Sequence, residues 1–173
     1  IKLNIVPLPP KEAGLLCVHF NSIDESLRAN ILALKYKPTA SELIDHFILE
    51  CTKDNIEQSR NRFFVQGDPA AILVVEFKKE TREEIISIAK QLEDDLRAAN
   101  LGYHFPFLFG DDTKKIWALR KAGLGLLGNL PGDEKAVAVI EDTAVDIHDL
   151  PNYIAEFNDI LHKNNMSAVH YAH

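Results

Sequence analysis

The chain has 173 residues, 46% of them apolar and 26% charged, which is a typical composition for a soluble globular protein. Its net charge of −7 and its dispersed basic residues argue against binding to nucleic acid or to an anionic membrane. There is no apolar run as long as a membrane span and no pattern typical of a signal peptide.

The first residues have the character of an internal segment. The chain begins with Ile1 rather than a methionine, and Lys2–Val6 has a strand-like pattern with no turn before it. We therefore expect a piece of a larger protein. Cys17 lies in an apolar run far from Cys51, so we expect reduced thiols and a cytoplasmic location, with a disulfide between the two as the alternative.

Three apolar runs, each followed by a helical pattern, form a weak internal repeat. The runs are Leu15–Phe20, Ala71–Phe77 and Ala136–Asp142. Their length and apolar character predict strands. Ser22–Glu25 and Thr81–Glu84 match the capping box that begins a helix, and Asp146 is predicted to cap the third helix more weakly.

Each helix is followed by a further strand pattern. These patterns are the stretch around Ser41–Ile44, Tyr103–Phe109 and Ser167–Tyr171. The strand–helix–strand repeats predict an α+β, ferredoxin-like fold with a mainly antiparallel sheet and helices packed on one face. A doubly wound parallel sheet is the alternative. Residues 45–66 are expected to be a helical insertion, and residues 1–173 a single domain.

The segment Gly123–Gly128 fits the spacing GxGxxG of a dinucleotide-binding loop. Such a loop must follow a strand and open a helix. Here Lys114–Ala122 is predicted to be helical, with Asp111 or Asp112 as its cap. We therefore expect the glycines to end a helix and open a loop, and we reject a nucleotide site.

Arg120 is the candidate binding residue, one helical turn after Trp117 on the same face. A planar guanidinium beside an aromatic ring suits bidentate capture of a carboxylate. The alternative is a surface arginine, stacked on Trp117 or paired with Asp112 or Glu141. Glu141 and Asp142 end the third predicted strand on opposite faces, so we do not expect paired acid–base catalysis.

The histidines are scattered, and the spacing of His170 and His173 in a predicted strand does not favour a shared metal ion.

Several segments together resemble the C-terminal domain of FAD-linked oxidases, the relatives of glycolate oxidase, D-lactate dehydrogenase and D-2-hydroxyglutarate dehydrogenase. The segments are Ser41–Asp45, Gly67–Glu76, Trp117–Leu127, Glu141–Val145 and Tyr171–His173. The resemblance spans nearly the whole chain and is strongest to long bacterial members that fuse a flavin half, this domain and an iron–sulfur segment. It implies a ferredoxin-like substrate domain, or cap, that closes over the flavin.

The resemblance implies that a separate FAD-binding domain of the same parent chain is the partner, and that a small 2-hydroxy acid is the substrate. Hydride would pass from the acid to FAD while a base takes the hydroxyl proton. The isolated piece is expected to be inactive. It is also expected to form a homodimer through the surface that the flavin half would cover in the parent. A divalent metal and an iron–sulfur cluster are implied for the parent.

The resemblance implies functional roles for two residues, Arg120 and His173. Arg120 matches the helix arginine that binds the substrate carboxylate in the 2-hydroxyglutarate branch. His173 matches the first histidine of a motif beside the flavin, which implies a catalytic role and, in some members, a metal ligand. This branch has a lysine where the chain has Ile140, so lactate and glycolate are as plausible as 2-hydroxyglutarate.

A second hypothesis comes from the strand–helix–strand repeat itself, which is compatible with many functions. The chain would then be a non-catalytic ferredoxin-like module that binds a small ligand or mediates assembly.

Overall fold

The computed structural model of the chain describes residues 3, 5, 8–129, 132–133, 135–140 and 143–173. Within these residues, four strands form one antiparallel sheet in the order β2-β3-β1-β4. The strands are β1 (Glu12–Phe20), β2 (Ala40–Asp45), β3 (Ala71–Lys79) and β4 (Phe107–Phe109). The helices are α1 (Ile23–Leu34), α2 (His46–Cys51), α3 (Arg82–Ala98), α4 (Asp111–Leu126) and α5 (Leu150–Lys163).

The sheet order and the sequence β1–α1–β2–β3–α3–β4 are those of the ferredoxin-like fold. The prediction of an α+β protein with an antiparallel sheet is thus confirmed. The expected helical insertion is also present, as α2 and a 3₁₀ helix at Gln58–Arg62 between β2 and β3.

Local sequence signals set the starts of α1 and α3, but only α3 has the complete capping box predicted for both, because the carboxylate of Glu25 accepts the N–H of Asn21 rather than that of Ser22. The side chain of Ser22 accepts a hydrogen bond from the backbone N–H of Glu25 at 3.1 Å. At α3, Thr81 and Glu84 form a complete capping box in which each side chain binds the other residue's backbone N–H. These bonds satisfy amide groups that a helix start otherwise leaves without partners.

Helices cover both faces of the sheet. The helices of the repeat, α1 and α3, share one face, as predicted. Their cluster contains Leu16, Val18, Phe20, Ala29, Ala33, Val75, Phe77, Ile85, Leu92 and Leu96. The opposite face carries α2 and α4, a second layer that the repeat did not predict. Its cluster contains Leu15, Cys17, Ile44, Ile48, Leu49, Ile72, Val74, Ile116 and Leu119.

The third predicted strand is wrong over its described part. Residues 136–140 belong to no strand, and Val137 and Val139 are 72% and 75% exposed. An apolar run becomes a strand only where a partner offers ladder hydrogen bonds, and the described sheet has no such partner for it. Glu141 and Asp142 lie outside the described residues.

The two outermost predicted strands also differ from the structure. Leu3 and Ile5, the described residues of the first pattern, are exposed and outside any strand. Ser167–Tyr171 is not a strand either, although the carbonyl of Ala172 accepts a hydrogen bond from the N–H of Leu43 in β2. A single backbone bond places this segment beside the sheet without extending the ladder.

The start of α5 differs from prediction by one turn. Asp149, rather than Asp146, is the residue before the helix, and Pro151 lies in the first turn. The carboxylate of Asp146 accepts the N–H of His148 at 2.9 Å, so it closes the turn ahead of the helix. Proline at this position is favourable because its missing N–H has no helical partner.

Both cysteines are free thiols. Burial raises the pKa of Cys17, which keeps this thiol protonated and poorly nucleophilic. No helix in the described part of the chain combines the length and the apolar character needed to cross a membrane.

His19 is a fully buried histidine on β1, and one neutral tautomer satisfies both of its ring nitrogens. Its Nδ1 donates to the carbonyl of Cys17 at 3.1 Å, and its Nε2 accepts from the N–H of Gln66 at 3.3 Å. Burial lowers the pKa of His19 from 6.5 to about 4, against the opposing effect of the bond to Cys17. A second ring proton would face the N–H of Gln66, so the folded state disfavours the imidazolium.

We expect His19 to make the free energy of unfolding fall by about 2 kcal/mol between pH 7.5 and pH 5. The unfolded imidazole, with its ordinary pKa of 6.5, binds more protons in this range than the folded one. Stability is therefore complete above pH 6.5 and is lost as the pH falls towards 4. Urea unfolding at both pH values measures the effect.

The pH dependence should be much smaller in His19→Gln, which has no titrating ring at this position. His162→Gln, which changes an exposed histidine at the end of α5, should retain it. Equal pH dependence in the His19 variant and the unmodified chain would assign the effect to other groups.

Candidate functional site

Arg120 lies on the face of α4 that packs against the sheet, and it is only 5% exposed. The neighbouring positions on this face, Ile116, Leu119 and Gly123, are buried as well. The helical period brings all four to one side. Because a guanidinium remains charged at neutral pH, burial on this face requires a partner.

The partner is Glu42 of β2. Nη2 of Arg120 donates to Oε2 of Glu42 at 2.7 Å and to the carbonyl oxygen of Ala172 at 3.1 Å. Burial lowers the pKa of Arg120, and the carboxylate of Glu42 opposes this shift. The guanidinium thus joins α4, strand β2 and the C-terminal segment.

Tyr171 covers the guanidinium of Arg120. The guanidinium carbon lies 3.4 Å from the centre of the tyrosine ring, a close cation–π contact. Nε of Arg120 is buried and has no hydrogen-bond partner in the structure. A charged N–H donor without an acceptor carries a desolvation cost, so this N–H is suited to donate a hydrogen bond to a ligand oxygen.

Neither Asp112 nor Trp117 is the partner of Arg120 in the structure. Asp112 pairs with Lys115 at 2.7 Å rather than with Arg120. Among the described residues, the ring on which the guanidinium stacks is that of Tyr171 and not that of Trp117. Glu141 lies outside the described residues. The expected ion pair is present, but with a different carboxylate.

The C-terminal segment is bound along the edge strand β2. The carboxylate of Asp45 accepts the N–H of His170 at 3.0 Å and that of Phe47, at the start of α2, at 2.7 Å. Burial lowers the pKa of His170, whereas the carboxylate of Asp45 acts in the opposite direction. Asp45 therefore links the segment to α2.

His173 directly follows Ala172, the residue whose carbonyl binds Arg120. The structure therefore brings the two predicted site residues to the same edge of the sheet, with His173 exposed. Within the described part of the chain, His173 belongs to no cluster of three metal-binding side chains. The role of His173 as a metal ligand in the complete protein stays a prediction.

Glu42 and Tyr171 were missed in the sequence, although Glu42 left a signal. It lies two residues before Ile44 on β2, and Ile44 is fully buried. Alternation along a strand places both side chains on one face, so a carboxylate here needs a cation. Nothing near Tyr171 in the sequence shows that its ring covers Arg120.

The glycine pattern does not form a nucleotide loop, as predicted. Gly123 and Gly125 lie inside α4, and Gly128 lies in the 3₁₀ helix that follows it. The expectation that the glycines end the helix was wrong, because α4 continues to Leu126. These glycines offer no helix N-terminus to a pyrophosphate, so they do not fit a flavin cofactor.

Sequence comparison identifies related proteins. The family described as FAD linked oxidases, C-terminal domain, matches residues 9–173. A D-2-hydroxyglutarate dehydrogenase of Pseudomonas putida is 31% identical over 169 residues, which cover 92% of this chain and 16% of the relative. The Haemophilus influenzae enzyme of the same name is 29% identical over 182 residues, which cover 99% of this chain and 18% of the relative.

The Escherichia coli enzyme of this name is 26% identical over 183 residues, again 18% of its length. The chain thus spans less than a fifth of the curated relatives it matches.

Proposed function

Because the chain belongs to the C-terminal domain family of FAD-linked oxidases, we propose that it is the substrate-binding domain of a flavin-dependent oxidoreductase acting on a 2-hydroxy acid. In this proposal the chain supplies groups that bind and orient the acid. The rest of the complete protein, including a separate FAD-binding domain, holds the flavin. This division agrees with the small share of the relatives that the chain covers and with the helical position of its glycines.

The observation that supports the proposal most directly is the buried guanidinium of Arg120 with an unpaired Nε. A carboxylate is the acceptor that best fits the planar donors of arginine. Glu42 already supplies one carboxylate oxygen to Nη2. We infer that the substrate carboxylate binds Nε and either shares or displaces the contact with Glu42.

Oxidation of a 2-hydroxy acid removes a hydride from C2 and a proton from the hydroxyl group. FAD, when bound, accepts the hydride. We propose that Arg120 orients the acid through its carboxylate, and that His173, one residue beyond the Arg120 contacts, receives the hydroxyl proton. A divalent metal at His173 would require ligands from outside the described residues.

The substrate proposed first is D-2-hydroxyglutarate, because the relatives carry this name. Ile140 supplies no positive charge for a second carboxylate, so lactate and glycolate belong to the same proposal. An iron–sulfur segment in the parent and self-association of the isolated domain stay predictions from the resemblance, and a cytoplasmic location stays a prediction from the cysteines.

The test is anaerobic reduction of the flavin in the complete protein, followed by its visible absorbance. D-2-hydroxyglutarate, D-lactate and glycolate are added separately, and at least one is expected to bleach the flavin band. Arg120→Ala is expected to raise the half-saturating concentration of that acid about 30- to 100-fold, through loss of a charge-assisted contact. A flavin that no 2-hydroxy acid reduces would contradict the proposed reaction.

Glu42→Gln is the matched control, because it breaks the same ion pair but keeps the cation. If Arg120 binds the substrate, this variant should bind the acid as well as or better than the unmodified protein. An equal rise of the half-saturating concentration in both variants would mean that Arg120 acts only through the ion pair.

A further inference from the structure

A second group of side chains that can bind a ligand lies where β2 ends and α2 begins. One ligand atom each from His46, Glu50 and Asp68 lie within 4.8 Å of one another. Nδ1 of His46 is 3.6 Å from Oδ1 of Asp68. None of these residues takes part in the Arg120 contacts, and nothing in the proposed oxidation uses them.

We propose that His46, Glu50 and Asp68 form a binding site for a divalent transition-metal ion, with zinc as its best-fitting occupant. An imidazole nitrogen with two carboxylates is a ligand set that suits zinc, whereas magnesium and calcium prefer oxygen ligands alone. The protein provides three ligands, and solvent completes the coordination.

The spacing of the side chains fits one ion after small rotations. Zinc binds nitrogen and oxygen ligands at about 2.0–2.2 Å, which places tetrahedral ligand atoms about 3.5 Å apart. The present spacing of up to 4.8 Å must therefore close by about 1 Å when the ion binds. The side chain of Asp68 is 76% exposed and open to solvent. Nδ1 of His46 donates to the carbonyl of Pro69 at 3.2 Å, so an ion that binds Nδ1 must displace this hydrogen bond.

The backbone that carries these ligands is fixed. His46 and Glu50 are four residues apart on α2, so they lie on one face of the helix. The helix is anchored by its buried residues Ile48 and Leu49. The N–H of His46 donates to the carbonyl of Ala70 at 3.1 Å, which ties the helix to the loop that carries Asp68.

Two cations of the protein compete with a metal ion for the carboxylates: Arg62 interacts electrostatically with Glu50 and Asp68, and Lys53 forms an ion pair with Glu50. Glu50 is paired with Lys53, with Nζ 2.5 Å from Oε1. Both side chains are partly exposed, at 36% and 48%, and exposed pairs of this kind contribute little free energy. A divalent ion held by three ligands can therefore displace the ammonium group, which then returns to solvent.

The experiment is a zinc titration of the chain, without a polyhistidine tag, by isothermal titration calorimetry. The expected result is one zinc ion per chain, with binding weakened at least about tenfold in His46→Ala and in Asp68→Asn, because each removes a ligand. Lys53→Gln should bind zinc more tightly, because the competing cation is gone. Magnesium at the same concentration should not displace the zinc.

His162→Ala is the matched control, since it removes an exposed histidine far from this cluster in sequence and should leave the affinity unchanged. Zinc binding of equal strength in His46→Ala would overturn the proposal, as would no zinc binding by the unmodified chain. Circular dichroism spectra identical to that of the unmodified chain would show that the His46 and Asp68 variants are folded.

Discussion

Arg120→Met is expected to lower the free energy of unfolding of the domain by about 3 kcal/mol. The substitution keeps an unbranched side chain but leaves Glu42 without its cation. The side chain of Glu42 is only 22% exposed, so water replaces the lost partner incompletely. The contacts of the guanidinium with Ala172 and Tyr171 are lost at the same time. Urea unfolding at neutral pH measures the difference.

Arg28→Met provides the control for this prediction. Arg28 pairs with Asp24 at the same distance, 2.7 Å, but both side chains are more than half exposed. Its replacement should change stability by less than about 0.5 kcal/mol, because exposed pairs contribute little. Similar losses in the two variants would show that burial of the Arg120–Glu42 pair has no special effect on stability.

The double variant Arg120→Met, Glu42→Gln measures how much of the stability comes from the interaction between the two side chains. With both charges removed, the remaining loss should be clearly smaller than the sum of the two single losses. Additive losses would mean that the two side chains stabilise the fold independently, despite the short distance between them.

Gly123→Ala is expected to destabilise the domain by about 2–3 kcal/mol, even though alanine is the better helix former. Gly123 is buried where α4 crosses α2, and a Cβ atom built there would overlap with Cγ2 of Ile48. The two helices must separate, or Ile48 must move within a packed cluster. Thermal and urea unfolding of the purified variant measure the loss.

Gly125→Ala is the matched control on the same helix. A Cβ atom there meets nothing within 4 Å, so the change should stabilise the domain by about 0.5–1 kcal/mol through helix propensity. Combining Gly123→Ala with Ile48→Ala should recover part of the loss, because the smaller side chain makes room for the new methyl group. Equal effects of the two glycine substitutions would rule out the close helix approach as their cause.

Much of the fold could be predicted from local signals. The hydroxyl groups of Ser22 and Thr81 cap the starts of α1 and α3, and the first two apolar runs became β1 and β3. Both of these strands are buried on both sides, so their sequences are continuously apolar rather than alternating. The second helical layer accounts for this pattern, but the repeat alone did not reveal it.

The wrong predictions concern contacts between residues that are far apart in the sequence. The run 136–140 has the composition of a strand, but strand formation also requires a neighbour in the sheet, and no local signal encodes that neighbour. The carboxylate partner of Arg120 is likewise 78 residues away along the chain. The sequence analysis considered Asp112 and Glu141, whereas the partner in the structure is Glu42 of the edge strand β2.

The sequence singled out Arg120 as a candidate binding residue, but it did not identify the residues that surround Arg120 in the structure. Helical spacing and the family resemblance singled out Arg120, and the structure gives it a buried position and an unpaired donor. The sequence could not show that the C-terminal segment folds back over it, because this contact depends on one backbone bond to β2 and on the ring of Tyr171.

The position of the C-terminal segment has a consequence for solubility. Strand β2 is an edge of the sheet, and an open edge invites pairing with the strands of other molecules. Ala172 occupies the N–H of Leu43, and Asp45 fixes the segment through His170. The segment that encloses the guanidinium thus also covers part of this edge, and we expect a motion that uncovers Arg120 to open the edge to pairing with another strand.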